Sequence, residues 1–448
     1  MFYSHIAKMS SSCSLVVMNK VFPIKIERVA HDGAGEAVHE GKKVRIHGML
    51  PGEEGVVEVS KKHGMYIGTL KELTVASPQR KSPDELHYLS CSPWQVAEYP
   101  LQVELKQNIL AELFSFYTDV PKPEFVPAAK FYGYRTKVEF SFCDREGEHD
   151  IPLALAFHER GGGSRRLPLS EGCALAGEGM NRAALAIVAK LRDLGYVARD
   201  LKTLVIRESK SNGKLIAILY AKKEEVAQFS VDDIPDLSGF IVFHATEKSP
   251  ASVPTKELWR WGEDSVVERI GGMDVTYSWD SFFQNNIPMF EEAMGLMAQS
   301  VPPQANVLEL YSGVGTIGLL LAKHAKHVHG VEIIDGAVIS AKKNAVAAGL
   351  KNYVAECIPA EKMDVRLLDK RDVLVLDPPR SGLHPKVIGM IEEKKPPMIA
   401  YLSCNPETQA RDYTLLRDLY TIERIVGFDF YPGTPHLESL VILKLRGG

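Results

Sequence analysis

The run "NVLELYSGVGTIGLLLAKHAKHVHGVEII" (306–334) decides how this chain is to be read. It opens on the apolar, strand-like "NVLELYS", continues through the helical "TIGLLLAKHA", and returns to a strand in "HVHGVEII". Strand, glycine turn, helix and second strand make one parallel βαβ unit. Gly313 and Gly315 lie in the turn, where missing side chains let a ligand approach the backbone at a helix start. Glu332 ends the second strand, 19 residues beyond Gly313, where an acid can accept hydrogen bonds from ribose hydroxyls. A glycine turn alone is a weak signal; with an acid in register it points to a nucleoside cofactor. A dinucleotide fingerprint would place its third glycine differently, and here an acid, Glu309, precedes the turn.

The alternation extends in both directions. Helix "IPMFEEAMGLMAQSV" (287–301) precedes the unit; helix "GAVISAKKNAVAAG" (336–349), strand "DVLVLDPP" (372–379), helix "HPKVIGMIEE" (384–393) and strand "MIAYLSC" (398–404) follow it. This is the pattern of a parallel sheet with helices on both faces. The last two strands, "TIERIVGFDFYP" (421–432) and "ESLVILKLR" (438–446), have little between them and predict an antiparallel hairpin closing the sheet.

Three more residues fall at strand ends, the edge where such sheets bind ligands. Asp377 precedes Pro378-Pro379, which stiffens the loop and removes two amide donors. Cys404 is followed at once by Asn405-Pro406, a turn that leaves the thiol at the sheet rim. It is either a nucleophile or a small buried residue. Glu438 starts the last strand, either as a solvated acid or as a general base.

Upstream the text differs. Residues 20–80 read as short strands with turns between, which fits a small barrel; residues 20–81 carry eleven Lys/Arg against eight Asp/Glu, a weak basic bias suited to a nucleic-acid backbone. Residues 81–275 read as an α+β domain, with strands at 134–143, 151–159, 203–209 and 215–221, a helix at 181–195, and a hairpin tip at Gly161–Gly163. A helix over 97–118 is placed to pack on the domain that follows, 276–448. Residues 1–19 read as a leader or an early start codon.

Composition bounds the rest. With 45% hydrophobic and 25% charged residues and a net charge of -4, the chain is neither disordered nor a bulk polycation. No apolar run approaches the ~20 residues needed to span a membrane. Six scattered cysteines, with no Cys-x-x-Cys pair, support neither a zinc site nor a disulfide framework and suit a cytoplasmic protein.

Taken together, "SFFQNN" (281–286), "ELYSGVGTIG" (309–318), "DPPRSG" (377–382), "SCNPETQARD" (403–412) and "PHLES" (435–439) resemble the RNA uridine carbon-5 methyltransferases, makers of 5-methyluridine in ribosomal and transfer RNA. "AHDGAGEA" (30–37) and "MLPGEEGVVEV" (49–59) resemble that family's RNA-binding TRAM barrel, an OB-like fold, and "YGYRTKVEFSF" (132–142) and "LPLSEGCAL" (167–175) its central domain. The resemblance implies a class I, Rossmann-like methyltransferase domain using S-adenosylmethionine. It puts Cys404 at the nucleophile and Glu438 at the base that removes the carbon-5 proton. Gln284, Tyr311, Glu332 and Asp377, with the turn glycines Gly313 and Gly315, fall on cofactor-contacting positions. Arg135, Lys137 and Arg411 are candidate phosphate contacts, with plain surface charge as the alternative for each. The partner implied is RNA, ribosomal ahead of transfer RNA, with no membrane and no obligate protein partner.

The chain departs from the family at one place. Many members hold an iron–sulfur cluster on four cysteines, three of them close together; here "HYLSCSPWQ" (87–95) has Cys91 alone, with Cys173 at the fourth position. Two thiols cannot supply a four-thiolate set, so no cluster and no metal are expected. Three rivals remain. A cytosine carbon-5 enzyme would carry a cysteine in the Pro-Pro loop. An amino-directed methyltransferase would explain Asp-Pro-Pro but not Cys404. A non-catalytic RNA-binding or folding factor would need neither Cys404 nor Glu438.

Overall fold

The computed structural model describes residues 20–447 apart from 63, 119, 147–148 and 161–164. The predicted leader (1–19) and the glycine hairpin tip (161–163) therefore lie outside the described residues. Two compact units divide the chain near residue 80.

In the first unit six strands form one curled sheet in the order Lys20–Lys25, Glu54–Lys62, Met65–Val75, Lys42–Ile46, Gly35–His39, Arg28–Val29. Alternate residues, among them Ile24, Val44, Ile46, Val57 and Val59, point inward to a common core, as the two-residue period of a strand requires. One end is closed by a buried acid. Glu53 is fully shielded and accepts hydrogen bonds from the Leu50 amide (2.8 Å), the Ser77 amide (3.1 Å) and the Arg80 Nε (2.6 Å), so its charge is met on every side.

The second unit contains two large sheets. Seven strands run in the order Arg166–Pro168, His149–His158, Lys137–Glu146, Leu201–Glu208, Leu215–Ala221, Leu237–His244, Lys256–Gly262, and helix Glu178–Asp193 buries Met180, Ala184, Ile187 and Leu191 against them. The other sheet has eight strands: Tyr353–Cys357, His327–Glu332, Asn306–Leu310, Val373–Leu376, Met398–Ser403, Glu438–Leu445, Tyr420–Phe428 and Glu124–Val126. The first five are mutually parallel, and Glu438–Leu445 enters antiparallel between Met398–Ser403 and Tyr420–Phe428.

Central strands of this sheet are apolar on both faces, as burial between two helical layers demands. Val307, Val375, Ala400, Leu402 and Ile442 face helices Ile287–Ser300, Thr316–Ala322 and Asp335–Ala347. Their neighbours Leu308, Leu376, Ile399, Tyr401 and Leu443 face helices Tyr99–Phe114, Pro385–Lys394 and Pro406–Leu416. The predicted α/β architecture with its antiparallel closing pair is present. One detail was not expected: the three-residue strand Glu124–Val126 lies outside the closing hairpin, parallel to Tyr420–Phe428. A separate hairpin, Ser265–Ile270 with Met273–Ser278, packs Val275 and Tyr277 into the same core as helix Asp335–Ala347. Among the described residues no helix is long and apolar enough to cross a membrane.

Helix Tyr99–Phe114 is fastened to the chain before the last strand by a fully buried ion pair. Lys106 Nζ lies 2.5 Å from Asp429 Oδ1 and also donates to the Tyr431 carbonyl (3.1 Å), while Tyr99 Oη donates to Asp429 Oδ2 (2.9 Å). Gln102, also buried, accepts from the Gly433 amide (2.9 Å). These contacts hold the 429–433 segment in place at the sheet edge.

Candidate active site

Strand Asn306–Leu310 ends in Tyr311, whose φ of 64° is the left-handed conformation that side chains rarely adopt. Such strain costs ~1–3 kcal/mol and is characteristic of ligand-binding turns. Gly313 (φ 53°) and Gly315 (φ 86°) complete the turn into helix Thr316–Ala322. A side chain at 315 would run into the Tyr353 hydroxyl at 2.8 Å, whereas the space beside Gly313 is open. The Glu332 carboxylate accepts from the amides of Gly313 (2.9 Å), Ile333 (2.8 Å) and Ile334 (2.9 Å), which locks the acid against the turn as its register implied. Gln284, Tyr311, Gly313 and Asp377 then line one cleft with Phe283 and Phe290, so four of the residues read from sequence meet there.

Gln284 is held by its backbone: its carbonyl accepts from Thr136 Oγ1 (2.8 Å). Two residues on, Asn286 caps helix Ile287–Ser300 and donates from Nδ2 to the Phe430 carbonyl (3.0 Å). The "SFFQNN" segment is thereby tied to the segment before the last strand.

Cys404 and Glu438 are brought together by strand register. Ser403 pairs with Ser439 across the antiparallel ladder, so the next residues outward, Cys404 and Glu438, face each other at the rim. Asp377 follows strand Val373–Leu376, the other neighbour of Met398–Ser403. Thiol and two carboxylates therefore share one sheet edge. Their charges interact accordingly. Burial pushes Glu438 up to about 8, with Asp377 adding to the shift, and burial pushes Asp377 up to about 7. Burial, then Glu438 and Asp377, push the Cys404 thiol up to about 11, while the nearby Arg380 guanidinium pulls it down.

A thiolate ready at neutral pH suits a cysteine nucleophile, but these surroundings keep Cys404 protonated at rest. Alkylation by iodoacetamide, read at the Cys404 peptide by mass spectrometry, should be slow at pH 7 and rise about tenfold per pH unit toward pH 10. Exposed Cys357 provides the internal comparison. A rate at Cys404 that is flat above pH 7 would show a thiolate already formed.

The three cationic candidates separate. Arg135 is partly buried; its backbone bridges to Asn286, its Nε has no hydrogen-bond partner among the described residues, and it lies beside Tyr134 and Tyr431. Lys137 is half-buried and pairs in register with Arg207, whose Nη2 holds the Ser281 carbonyl (2.7 Å). Arg411 donates to Asp412 (2.7 Å) and to the Ser381 carbonyl (2.9 Å), so it braces the loop after Asp377 while leaving about half its side chain exposed.

Two residues of this site were not singled out from sequence. Arg380 is exposed beside the thiol, and its carbonyl accepts from Asn405 Nδ2 (2.9 Å), which joins the Pro-Pro loop to the Cys404 turn. Tyr431 places its hydroxyl 3.5 Å from Glu438 Oε1. Arg380 could have been found as the only cation within "DPPRSG"; Tyr431 offered no signal beyond its nearness to the last strand.

A glycine turn and a strand-end acid beside a thiol and two desolvated carboxylates, all on one edge of a mostly parallel sheet, define an enzyme with the class I methyltransferase fold. A family model described as tRNA (uracil-5-)-methyltransferase matches residues 98–446. The chain is 30% identical to an uncharacterised RNA methyltransferase of Caldanaerobacter subterraneus subsp. tengcongensis, covering 95% of this chain and 99% of that one. It is also 30% identical to an uncharacterised RNA methyltransferase of Clostridium tetani, covering 95% and 98%. Among solved structures, the Pyrococcus abyssi tRNA (uracil-54, C5)-methyltransferase in complex with S-adenosyl-L-homocysteine is similar, with a TM-score of 0.76, 24% identity, and coverage of 94% of this chain and 100% of that one. The protein belongs to the tRNA (uracil-5-)-methyltransferase family and is an RNA methyltransferase.

Proposed function

We propose that the protein transfers a methyl group from S-adenosylmethionine to carbon 5 of a uridine in RNA, through a covalent bond between Cys404 and carbon 6. The observation that carries this reading is the ladder register that sets a thiol opposite a buried carboxylate at the cofactor edge. Cofactor binding at this cleft is supported by its lining, which includes Gly313, Phe283, Phe290 and Asp377, and by Glu332, held on the Gly313 amide beside the turn, where an acid can accept from a ribose. When bound, it supplies the methyl group and a positive charge for a region holding two carboxyls.

Carbon 5 of uracil is too weak a nucleophile to take a methyl group unaided. Cys404, its proton passing to solvent, bonds to carbon 6, and the electron pair of the carbon 5–carbon 6 double bond moves out onto the neighbouring carbonyl oxygen to make an enolate. Carbon 5 then bonds to the methyl carbon as the sulfonium–methyl bond breaks, leaving a neutral thioether. Glu438 removes the carbon-5 proton, the double bond re-forms, and the carbon 6–sulfur bond breaks to free Cys404. Arg380 offsets negative charge at the thiol. Burial first, then the cations Arg380, Lys106, Arg160 and Arg135, lower His436 to about 4, and of these the exposed Arg380 is the one placed to meet an RNA phosphate. A stacked base cannot present its carbon 6, so the target uridine is flipped out or lies in a loop.

Ribosomal RNA is the substrate we place first, because the 20–80 unit resembles a TRAM barrel. Transfer RNA is the second reading, favoured by the family description and by the substrate named for the Pyrococcus abyssi enzyme. The test is tritium release from carbon-5-labelled uridine in total RNA from cells lacking the gene, with the RNA size-fractionated. Release confined to large RNA supports the first reading and release from transfer RNA the second. No release by folded protein that binds the cofactor would overturn carbon-5 chemistry.

A further inference from the structure

Away from the methyl-transfer cleft, four side chains with metal-binding atoms converge: Glu85, His87, Cys91 and Cys173, with ligand atoms all within 4.8 Å of one another. His87 Nε2 lies 3.2 Å from Glu85 Oε1, and Cys91 Sγ lies 3.8 Å from Glu85 Oε2. Tetrahedral zinc with sulfur at ~2.3 Å and nitrogen or oxygen at ~2.0 Å sets its ligands roughly 3.3–3.8 Å apart. We propose that these four residues hold a single zinc-class divalent ion.

Several observations point to a ligand here. His87 is 7% exposed, and its buried Nε2, although 3.2 Å from Glu85 Oε1 and facing the cluster, makes no well-directed hydrogen bond among the described residues. Buried polar atoms are rarely left so. Cys91 and Cys173 are neighbours yet both are free thiols, and Cys173 is 2% exposed. The carboxylate is held from behind: Glu85 accepts from the Ala174 amide (2.6 Å) and from Gln95 Nε2 (2.8 Å), the kind of support that orients a metal ligand. The donor set, two thiolates with an imidazole and a carboxylate, suits one zinc ion. It lacks the four thiolates of an iron–sulfur cluster. Sequence spacing pointed to no metal because only two donors are cysteines and they lie 82 residues apart.

The ion would staple the 85–91 turn to the 173–175 loop. That loop's Ala174 and Leu175 carbonyls accept from the amides of Gly133 (2.8 Å) and Arg135 (3.2 Å), and the Thr136 amide donates to the Asn285 carbonyl (3.1 Å). The staple therefore supports the strand entrance that carries Arg135 and reaches the "SFFQNN" segment.

The test is elemental analysis of untagged full-length protein, purified under reducing conditions without chelator, alongside reconstitution with zinc or cobalt(II). The expected result is about one zinc per chain, and a cobalt form with visible ligand-field bands and a thiolate charge-transfer band. Cys91→Ser and His87→Ala should retain less than about a tenth of the metal, and stripping the wild type should lower its melting temperature by about 5 °C or more. The wild-type cobalt spectrum keeps the proposal testable if either variant fails to fold. Wild type that neither retains nor takes up metal overturns it. So does a Cys91–Cys173 disulfide in the native protein, or several irons per chain with labile sulfide.

Discussion

Replacing Cys404 with alanine should lower methyl transfer by at least ~10⁴-fold while leaving S-adenosylmethionine binding intact. The asymmetry follows from the layout. Cys404 ends strand Met398–Ser403, whereas the glycine turn and Glu332 belong to the two strands on the far side of Asp377's strand. On the proposed mechanism, losing one sulfur removes the route by which carbon 5 gains electron density but none of the proposed cofactor contacts. Single-turnover transfer from labelled cofactor to RNA measures the first quantity and calorimetric titration the second. Comparable turnover by the variant would sink the covalent mechanism, and lost cofactor binding would show that Cys404 shapes the pocket instead.

Glu438→Gln should behave differently. Glutamine keeps the shape and the neighbouring Tyr431 hydroxyl but takes no proton, so turnover should drop ~10²–10⁴-fold. The proposed nucleophile, Cys404, is intact in this variant. On the proposed mechanism attack and methyl transfer should still occur, and the methylated base, unable to lose its carbon-5 proton, should stay bonded to Cys404. Denaturing gels with labelled RNA and cofactor should therefore show a protein–RNA adduct absent from Cys404→Ala. The double variant should also lack it. Slow turnover without any adduct would transfer the proton-removing role to another group, Asp377 first among them. The pH dependence carries its own sign: with Glu438 raised to about 8, wild-type proton removal strengthens as pH rises from 6 toward 8, and Glu438→Gln should lose that limb.

Much of this was readable in the sequence, for identifiable reasons. Strand ends announce themselves when a mostly apolar run stops at a polar or turn-forming residue, as at Tyr311, Asp377 and Cys404; a parallel sheet gathers such ends on one edge, so the candidate site could be read from one-dimensional text. What escaped depends on three-dimensional neighbours. The short strand Glu124–Val126 has too few residues to show a period and exists because Tyr420–Phe428 offers it an edge. The raised thiol pKa comes first from burial and then from carboxylates 34 residues after and 27 residues before it in the chain. The Glu85–His87–Cys91–Cys173 cluster mixes three residue types across two distant segments, and no spacing rule combines them.

The register that pairs Ser403 with Ser439 has a consequence for how such an enzyme can change. The proposed nucleophile and base, Cys404 and Glu438, are set by the hydrogen-bond ladder of two adjoining strands, so their spacing does not depend on segments outside that ladder. Loops and accessory strands outside that ladder can be lengthened, recharged or exchanged without moving sulfur relative to carboxylate. Retargeting, in evolution or in the laboratory, is then a matter of delivering a different uridine to unchanged chemistry. The ladder itself is the part that tolerates no insertion, since a slip of one residue would turn Glu438 to the opposite face of the sheet.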